Sequence, residues 1–149
     1  MRSVSIFAGS VYGNAQHVAE EVQTMLEAEG ASCEVFTDPS VDDFKEAESV
    51  LVITSTTGQG DIPPNLEFFH SELRDTFPLM DGKPFAVVAL GDSSYGDSYC
   101  GGGRQFFELL NELQGKSVSE LFEVDAMETL APEEEVVPWV KTQLSELTE

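Results

Sequence analysis

Short apolar segments alternate with amphipathic helical stripes along the sequence, and this alternation restricts the possible folds more than any other feature. The first helical stripe repeats at the spacing of one helix face and ends at Gly30. It consists of Ala15, Val18, Ala19, Val22 and Leu26. Because apolar strands separated by helices form parallel sheets with right-handed crossovers, we predict a single-domain, doubly wound α/β fold over residues 1–149. The five predicted strands are residues 3–8, 33–37, 49–54, 84–90 and 118–124.

The charge balance limits the partners that such a domain can have. Seven Lys and Arg residues stand against 28 Asp and Glu residues, which gives a formal net charge of −21. That sign opposes binding to a phosphate backbone or to anionic lipid. A nucleic acid or a membrane is therefore not expected as a partner, whereas a basic protein surface is.

The remaining composition predicts a cytoplasmic protein without a metal site. The longest apolar run, residues 85–90, is far shorter than the roughly 20 residues of a membrane span. Cys33 and Cys100 form no CxxC pair, so we expect two reduced thiols. His17 and His70 are expected as partly exposed surface side chains, and Trp139 as a residue packed near the start of the last helix.

Three polar, glycine-containing loops follow the first, third and fourth predicted strands, at residues 10–15, 54–61 and 90–100. In a doubly wound sheet a ligand binds beyond the carboxyl ends of the strands, so these loops predict the site. The first loop leads into a helix, which suits either a phosphate group or an ordinary capped helix start. A dinucleotide GxGxxG motif and a Walker loop are absent, and Thr54 and Ser55 replace the acidic residue of a response-regulator receiver.

The three loops carry a family resemblance. They read GSVYGNA at 9–15, STTGQG at 55–60 and LGDSSY at 90–95, and Tyr99-Cys100 follows the last of them. In order and spacing they resemble the phosphate loop and the two isoalloxazine loops of short-chain flavodoxins, in particular the small MioC-like bacterial branch. The likeness covers essentially the whole chain and implies a five-stranded sheet of order 2-1-3-4-5.

The resemblance implies an electron carrier that binds one FMN without a covalent bond and has no catalytic residue of its own. The first loop would hold the phosphate, Tyr95 would stack on the ring, and the Gly58 carbonyl would accept a hydrogen bond from the reduced ring. Thr57 stands where many flavodoxins have a second stacking aromatic, which puts stacking on that face in doubt. The residues implied to bind FMN are Ser10, Val11, Tyr12, Gly13, Asn14, Ala15, Ser55, Thr56, Thr57, Gly58, Gln59, Gly60, Leu90, Gly91, Asp92, Tyr95, Tyr99 and Cys100.

The implied function is one-electron transfer by a monomer between a basic reductase of the flavodoxin/ferredoxin-NADP type and an acceptor redox protein. Two alternatives stay open. The chain could be an NAD(P)H-dependent FMN or quinone reductase on the same fold, or a flavodoxin-like binding module without redox function.

Overall fold

Strands and helices alternate along the chain in a computed structural model that describes residues 2–10, 13–56, 62–91, 100–125 and 131–148. The strands are β1 (Val4–Gly9), β2 (Cys33–Phe36), β3 (Ser49–Ser55), β4 (Pro84–Gly91), β5 (Lys116–Ser117) and β6 (Phe122–Asp125). The helices are α1 (Asn14–Ala28), α2 (Val41–Glu46), α3 (Pro64–Thr76), α4 (Gly101–Glu112), α5 (Glu133–Thr142) and α6 (Leu144–Thr148).

The sheet has the predicted parallel order, with β2, β1, β3 and β4 side by side and both β5 and β6 beside β4. Every pairing is parallel, so the carboxyl ends of all strands lie at one edge, which we call the carboxyl edge. The opposite edge, where the strands begin, is the amino edge. The chain passes from β1 outward to β2 and then back across β1 to β3, which opens a crevice at the carboxyl edge.

The fifth position of the sheet differs from the prediction of one strand over residues 118–124. Two short strands occupy it, because Ser117 pairs with Phe85 whereas Phe122 pairs with Val88. Phe85 and Val88 are three residues apart in β4, whereas their partners Ser117 and Phe122 are five residues apart. The two extra residues interrupt the pairing as a bulge does. The break was not visible in the apolar pattern, since Val118 and Leu121 still pack against the cores.

Alternating side chains of the buried strands form two cores, one on each face of the sheet. Ile6 and Ile53 point to the face covered by α1, α5 and α6. Phe7 and Val52 point to the face covered by α2, α3 and α4, where the Phe7 ring stacks on Phe69 with the centroids 5.2 Å apart. Helices on both faces confirm the doubly wound fold.

Two helices depart from the sequence expectation. The sequence predicts an acidic connection without a helix over residues 38–48, but α2 forms there. It begins with a capping box in which Ser40 and Asp43 each bond the other's backbone N–H. Apolar periodicity predicts a helix over residues 105–113, but α4 begins four residues earlier, at Gly101. The predicted apolar stripe of α3 consists of Leu66, Phe69, Leu73 and Phe77, but Phe77 ends that helix in the left-handed region (φ 49°) and is 44% exposed.

The two histidines differ, and the expectation for His70 is wrong. His70 is buried under α4, with Nε2 3.4 Å from the Gln105 carbonyl and its ring edge-on to Phe106. Burial lowers the pKa of His70 below the ordinary histidine value, so the ring is neutral at pH 7. His17 is exposed as expected.

Trp139 lies inside α5, farther from the start of the last helix than expected, and it stacks on Phe122 at the edge of the sheet, with the centroids 4.5 Å apart. Both cysteines are free thiols, as predicted. Burial and the nearby Glu27 carboxylate raise the pKa of Cys33 to about 11. Within the described residues, no helix has the length and apolar character that crossing a membrane requires, and no group of three or more His, Cys, Asp or Glu side chains is arranged to hold a metal ion.

Candidate functional site

The strand register brings the three predicted loops to one place. Gly9 pairs with Thr54, and Ser55 pairs with Leu90, so β1, β3 and β4 end side by side at the carboxyl edge. The segments that leave these ends are the loops singled out in the sequence. The described ends of the three loops therefore lie together, beside the crevice between β1 and β3.

One side chain from α3 ties the exit of β1 in place. Asn65 donates from Nδ2 to the carbonyls of Ala8 (2.9 Å) and Thr37 (3.0 Å), and its Oδ1 accepts the Ser10 N–H (3.2 Å). A single neutral amide thus joins the ends of β1 and β2 to the start of α3. This positioning residue was not predicted from the sequence, because its three partners are 28 to 57 positions away and no local pattern indicates them.

The start of α1 offers backbone donors. Gly13 caps the helix in the left-handed conformation (φ 82°), which glycine adopts without a steric penalty, and its carbonyl accepts the His17 N–H (2.9 Å). The first turn of α1 contains no acidic residue. The positive end of the helix dipole and the N–H groups of the first turn favour an anion there.

The start of α4 is fixed against β3 and β4. Thr56, which follows β3, accepts the Gly102 N–H through Oγ1 (3.1 Å). A Cβ added to Gly103 would come within 2.3 Å of the Ala89 Cβ, so only glycine allows this approach of helix and strand. The buried Cys100 thiol donates to the Ala89 carbonyl (3.5 Å), which fits the interpretation that this residue packs rather than reacts.

First turns without an acidic residue distinguish α1 and α4 within the described part of the chain. The other helices have one to three acidic residues in the first turn, as in α3 with Glu67 and α5 with Glu133, Glu134 and Glu135. In a chain of charge −21, these two helix starts thus add no carboxylate of their own first turn to the edge where the loops lie.

The basic residues are segregated to the amino edge. All seven lie in the described part of the chain, and six lie just before a strand, at the first residue of a strand or in the C-terminal part of a helix, positions that meet at the amino edge. These six are Arg2, Lys45, Arg74, Lys83, Lys116 and Lys141. The seventh, Arg104, lies in the first turn of α4 and is paired with Glu123 at 3.2 Å. The helix starts at the carboxyl edge carry Asp42, Asp43, Glu67, Glu133, Glu134 and Glu135, whereas Arg104 is the one Lys or Arg toward that edge.

The predicted FMN-binding residues divide into two groups. The described ones meet at the carboxyl edge: Ser10, Gly13, Asn14, Ala15, Ser55, Thr56, Leu90, Gly91 and Cys100. The others lie outside the described residues: Val11, Tyr12, Thr57, Gly58, Gln59, Gly60, Asp92, Tyr95 and Tyr99.

An open cavity of about 720 Å³ lies at the amino edge, away from these loops. Its lining includes Arg2, Glu48 and Lys141. Glu48 accepts two hydrogen bonds from Ser3, and Lys141 pairs with Glu29 (3.2 Å). Glu48 thus ties residue 3 to the start of β3, and Lys141 ties α5 to the end of α1. Because these side chains have structural partners and the three loops lie at the other edge, the carboxyl edge is the candidate functional site.

The donor set at the carboxyl edge fits a phosphate-bearing, uncharged-ring cofactor such as FMN. The backbone N–H groups of the first turn of α1 stand next to Ser10, which has a hydroxyl, and Asn14, which has an amide. A neutral donor set is what a dianionic phosphate requires when no cation of the same edge is available.

Comparisons with known proteins identify the family. The family model described as "Flavodoxin" matches residues 6–139. The chain is 41% identical to Flavodoxin YqcA of Escherichia coli K12, over 95% of each chain, and 29% identical to Protein MioC of the same organism, over 94% of this chain and 95% of the relative. A solved structure of a flavodoxin mutant from Pseudomonas aeruginosa superposes with a TM-score of 0.92 at 41% identity, covering 97% of this chain and 98% of the other.

Proposed function

The chain belongs to the flavodoxin family of FMN-binding electron carriers, and from that premise we propose that it passes single electrons from a basic reductase of the flavodoxin/ferredoxin-NADP type to an acceptor redox protein. Both partners dock in turn at the carboxyl edge. The observation that carries this proposal is the charge segregation, because it leaves one acidic edge around the crevice and gathers the cations at the other.

The residues proposed to hold FMN are those predicted from the sequence, and the described ones have chemistry that suits the role. Backbone donors at Gly13, Asn14 and Ala15 face an anion with no acidic residue in their turn. When bound, FMN supplies the one-electron redox chemistry. The protein positions the phosphate through α1, and it holds the exits of β3 and β4 together through the Thr56–Gly102 hydrogen bond.

The acidic edge has two effects on electron transfer. It attracts a basic partner over several ångströms and orients it before contact, which raises the association rate at low ionic strength. It also disfavours additional negative charge close by, which lowers the potential at which a bound flavin becomes an anion. Both effects depend on the carboxylates of this edge and on the absence of balancing cations there.

We also propose that the chain acts as a cytoplasmic monomer, with residues 1–149 forming one FMN-binding domain. Two free thiols suit a reducing compartment. A net charge of −21 makes copies of the chain repel one another.

The proposal is tested by the reduction of the FMN-loaded protein by NADPH and a purified flavodoxin reductase, followed in a stopped-flow instrument. We expect the second-order rate constant to fall about tenfold between low and high ionic strength. Removing three charges at the carboxyl edge (Glu67→Gln, Glu134→Gln, Glu135→Gln) reproduces most of that fall at low ionic strength.

A matched control removes the same number of charges at the amino edge, where Glu46, Asp75 and Asp81 are exposed. The variant Glu46→Gln, Asp75→Asn, Asp81→Asn keeps the wild-type rate within about twofold. Equal effects of the two triple variants, or a rate indifferent to salt, contradict the proposal. Direct consumption of NADPH by the protein without the reductase instead favours the reductase alternative.

A further inference from the structure

Phe68 is an aromatic side chain that the fold leaves outside. It lies in α3 and is 73% exposed, whereas its neighbours on the inner face of the same helix are buried. These inner residues are Leu66, Phe69, His70 and Leu73. Folding therefore does not account for an aromatic at position 68, and isolated exposure alone does not assign a role, since single apolar side chains occur on most protein surfaces.

The position of Phe68 relates it to the functional site. Residue 68 is the fifth residue of α3, about 6 Å along the helix from its start at the rise of an α-helix. The start of α3 lies at the carboxyl edge and carries Asn65, the side chain that holds the exit of β1. Phe68 thus lies in the half of α3 nearer the carboxyl edge, one helical turn from Asn65.

The charges around Phe68 define what can cover it. Glu67 precedes it, and Glu72 lies one turn further along the same face of the helix. Arg74 stands in the last turn of α3, toward the amino edge. An apolar side chain flanked by carboxylates complements a partner surface that has an apolar socket surrounded by Lys or Arg.

The energetics of transient complexes favour such a residue as an anchor. Redox partners bury small interfaces, below roughly 1,200 Å² in total, and a few residues supply most of the binding energy. A phenylalanine has roughly 150–250 Å² to bury, and aromatic side chains are prominent among interface residues. Burying Phe68 therefore accounts for a large share of a small interface.

We propose that Phe68, with Glu67 and Glu72 on either side, is the anchor through which the basic reductase docks. This inference rests on the proposed function and adds to it the residue that fixes the partner on the α3 side of the crevice. Charge steers the approach, and burial of the Phe68 ring slows dissociation.

The same helix supplies a matched control. Phe77 ends α3 at the amino edge and is 44% exposed, so it is a second exposed phenylalanine with a comparable side chain. It lies three residues after Arg74 and away from the crevice. A general effect of removing surface aromatics will therefore appear in both Phe68→Ala and Phe77→Ala, whereas docking through Phe68 affects one of them.

The experiment measures reduction of FMN-loaded wild-type, Phe68→Ala and Phe77→Ala protein by NADPH and the purified flavodoxin reductase, at low and at high salt. We expect Phe68→Ala to weaken the reductase complex about tenfold at both salt concentrations, because apolar contact is not screened. Glu67→Gln weakens it at low salt only. Phe77→Ala stays within about twofold of wild type, and FMN affinity and thermal unfolding are unchanged in Phe68→Ala.

Each other outcome is decisive. If Phe68→Ala behaves like wild type, or if both alanine variants lose equally, the anchor is overturned while the proposed function stands. If the reductase does not reduce the wild-type protein although light and a deazaflavin reduce its FMN, the proposed function fails, and the anchor fails with it.

Discussion

Each end of β1 is held by hydrogen bonds to one side chain, but the two side chains differ in charge. At the amino edge, one carboxylate oxygen of Glu48 accepts both the N–H and the hydroxyl of Ser3 (3.0 and 2.8 Å). At the carboxyl edge, the Asn65 amide accepts from Ser10 and donates to Ala8 and Thr37. The charged side chain, Glu48, lies among the cations of the amino edge, and the neutral one, Asn65, lies at the edge proposed to bind a phosphate.

This difference indicates how an acidic protein can bind a phosphate. Among the described residues, the carboxyl edge has no free cation to offer, since Arg104 is paired with Glu123. Asn65 is an amide, and in the described structure the first turns of α1 and α4 contain no acidic residue of their own. Neutral donors then hold the phosphate without a carboxylate in their own helical turn.

The largest effect is expected when a charge is introduced at the neutral residue Asn65. Asn65→Asp removes both donated hydrogen bonds and adds a carboxylate beside two backbone carbonyls. We expect a loss of about 2–3 kcal/mol in the free energy of unfolding and a rise of on the order of a hundredfold in the Kd for FMN. Denaturant unfolding and titration with FMN measure the two effects.

Glu48→Gln is the control for that variant at the other end of β1. It changes hydrogen bonding at the amino edge and does not alter the crevice, so FMN affinity stays within about twofold of wild type. Loss of FMN affinity in both variants would mean that the whole sheet, rather than the carboxyl edge, determines cofactor binding.

A smaller effect is expected from packing at the start of α4. Gly103→Ala forces a methyl group against Ala89, and relief requires movement of the β4 backbone, which lies 3.0 Å away. We expect a net loss of about 1–2 kcal/mol in stability, despite the better helix propensity of alanine, together with weaker FMN binding. Denaturant unfolding and titration with FMN again measure the two effects.

Gly115→Ala tests the same kind of overlap away from the crevice. The added Cβ would meet the Met80 sulfur at 2.6 Å and the Phe85 ring at 2.7 Å. Side-chain ends can move, so its loss of stability should be smaller, and its FMN affinity should equal that of wild type. An unchanged FMN affinity in Gly103→Ala would show that the start of α4 does not shape the site.

The smallest effect concerns pH at the amino edge. Hydrogen bonds from Ser3 lower the pKa of Glu48 below the ordinary glutamate value. The stability that this carboxylate contributes is therefore fully present above the ordinary value and is lost as the pH falls through the lowered pKa.

Thermal unfolding of wild type and Glu48→Gln from pH about 7 down to about 3 measures this contribution. Wild type should be more stable near neutrality, and the difference should vanish at the acid end. A difference that persists at low pH would assign the effect to packing instead of charge.

Features of the fold that depend on neighbouring residues were predictable from the sequence, whereas those that depend on residues far apart in the chain were not. The strands and the three loops were predictable because apolar periodicity and glycine-rich turns are local signals. The start of α4 was not, because three successive glycines disfavour a helix by propensity, and the close packing of Gly103 on Ala89 offsets that cost. Helix α2 carried a readable signal in Ser40 and Asp43, which the acidic composition obscured.

The positioning residues were the least predictable. Asn65 and His70 take their roles from partners on other elements, at Ala8, Thr37 and Gln105. A motif identifies the residues next to a cofactor, whereas the residues that hold those in place are found only when the chain is folded.

The central claim is that FMN binds at the carboxyl edge and leaves the amino edge unchanged. Amide hydrogen exchange, measured with and without saturating FMN, tests it most directly. We predict slower exchange around Ser10, Asn14, Thr56 and Gly102, with no change around the cavity lined by Arg2, Glu48 and Lys141. Protection centred on that cavity, or no protection anywhere at saturating FMN, would contradict the account.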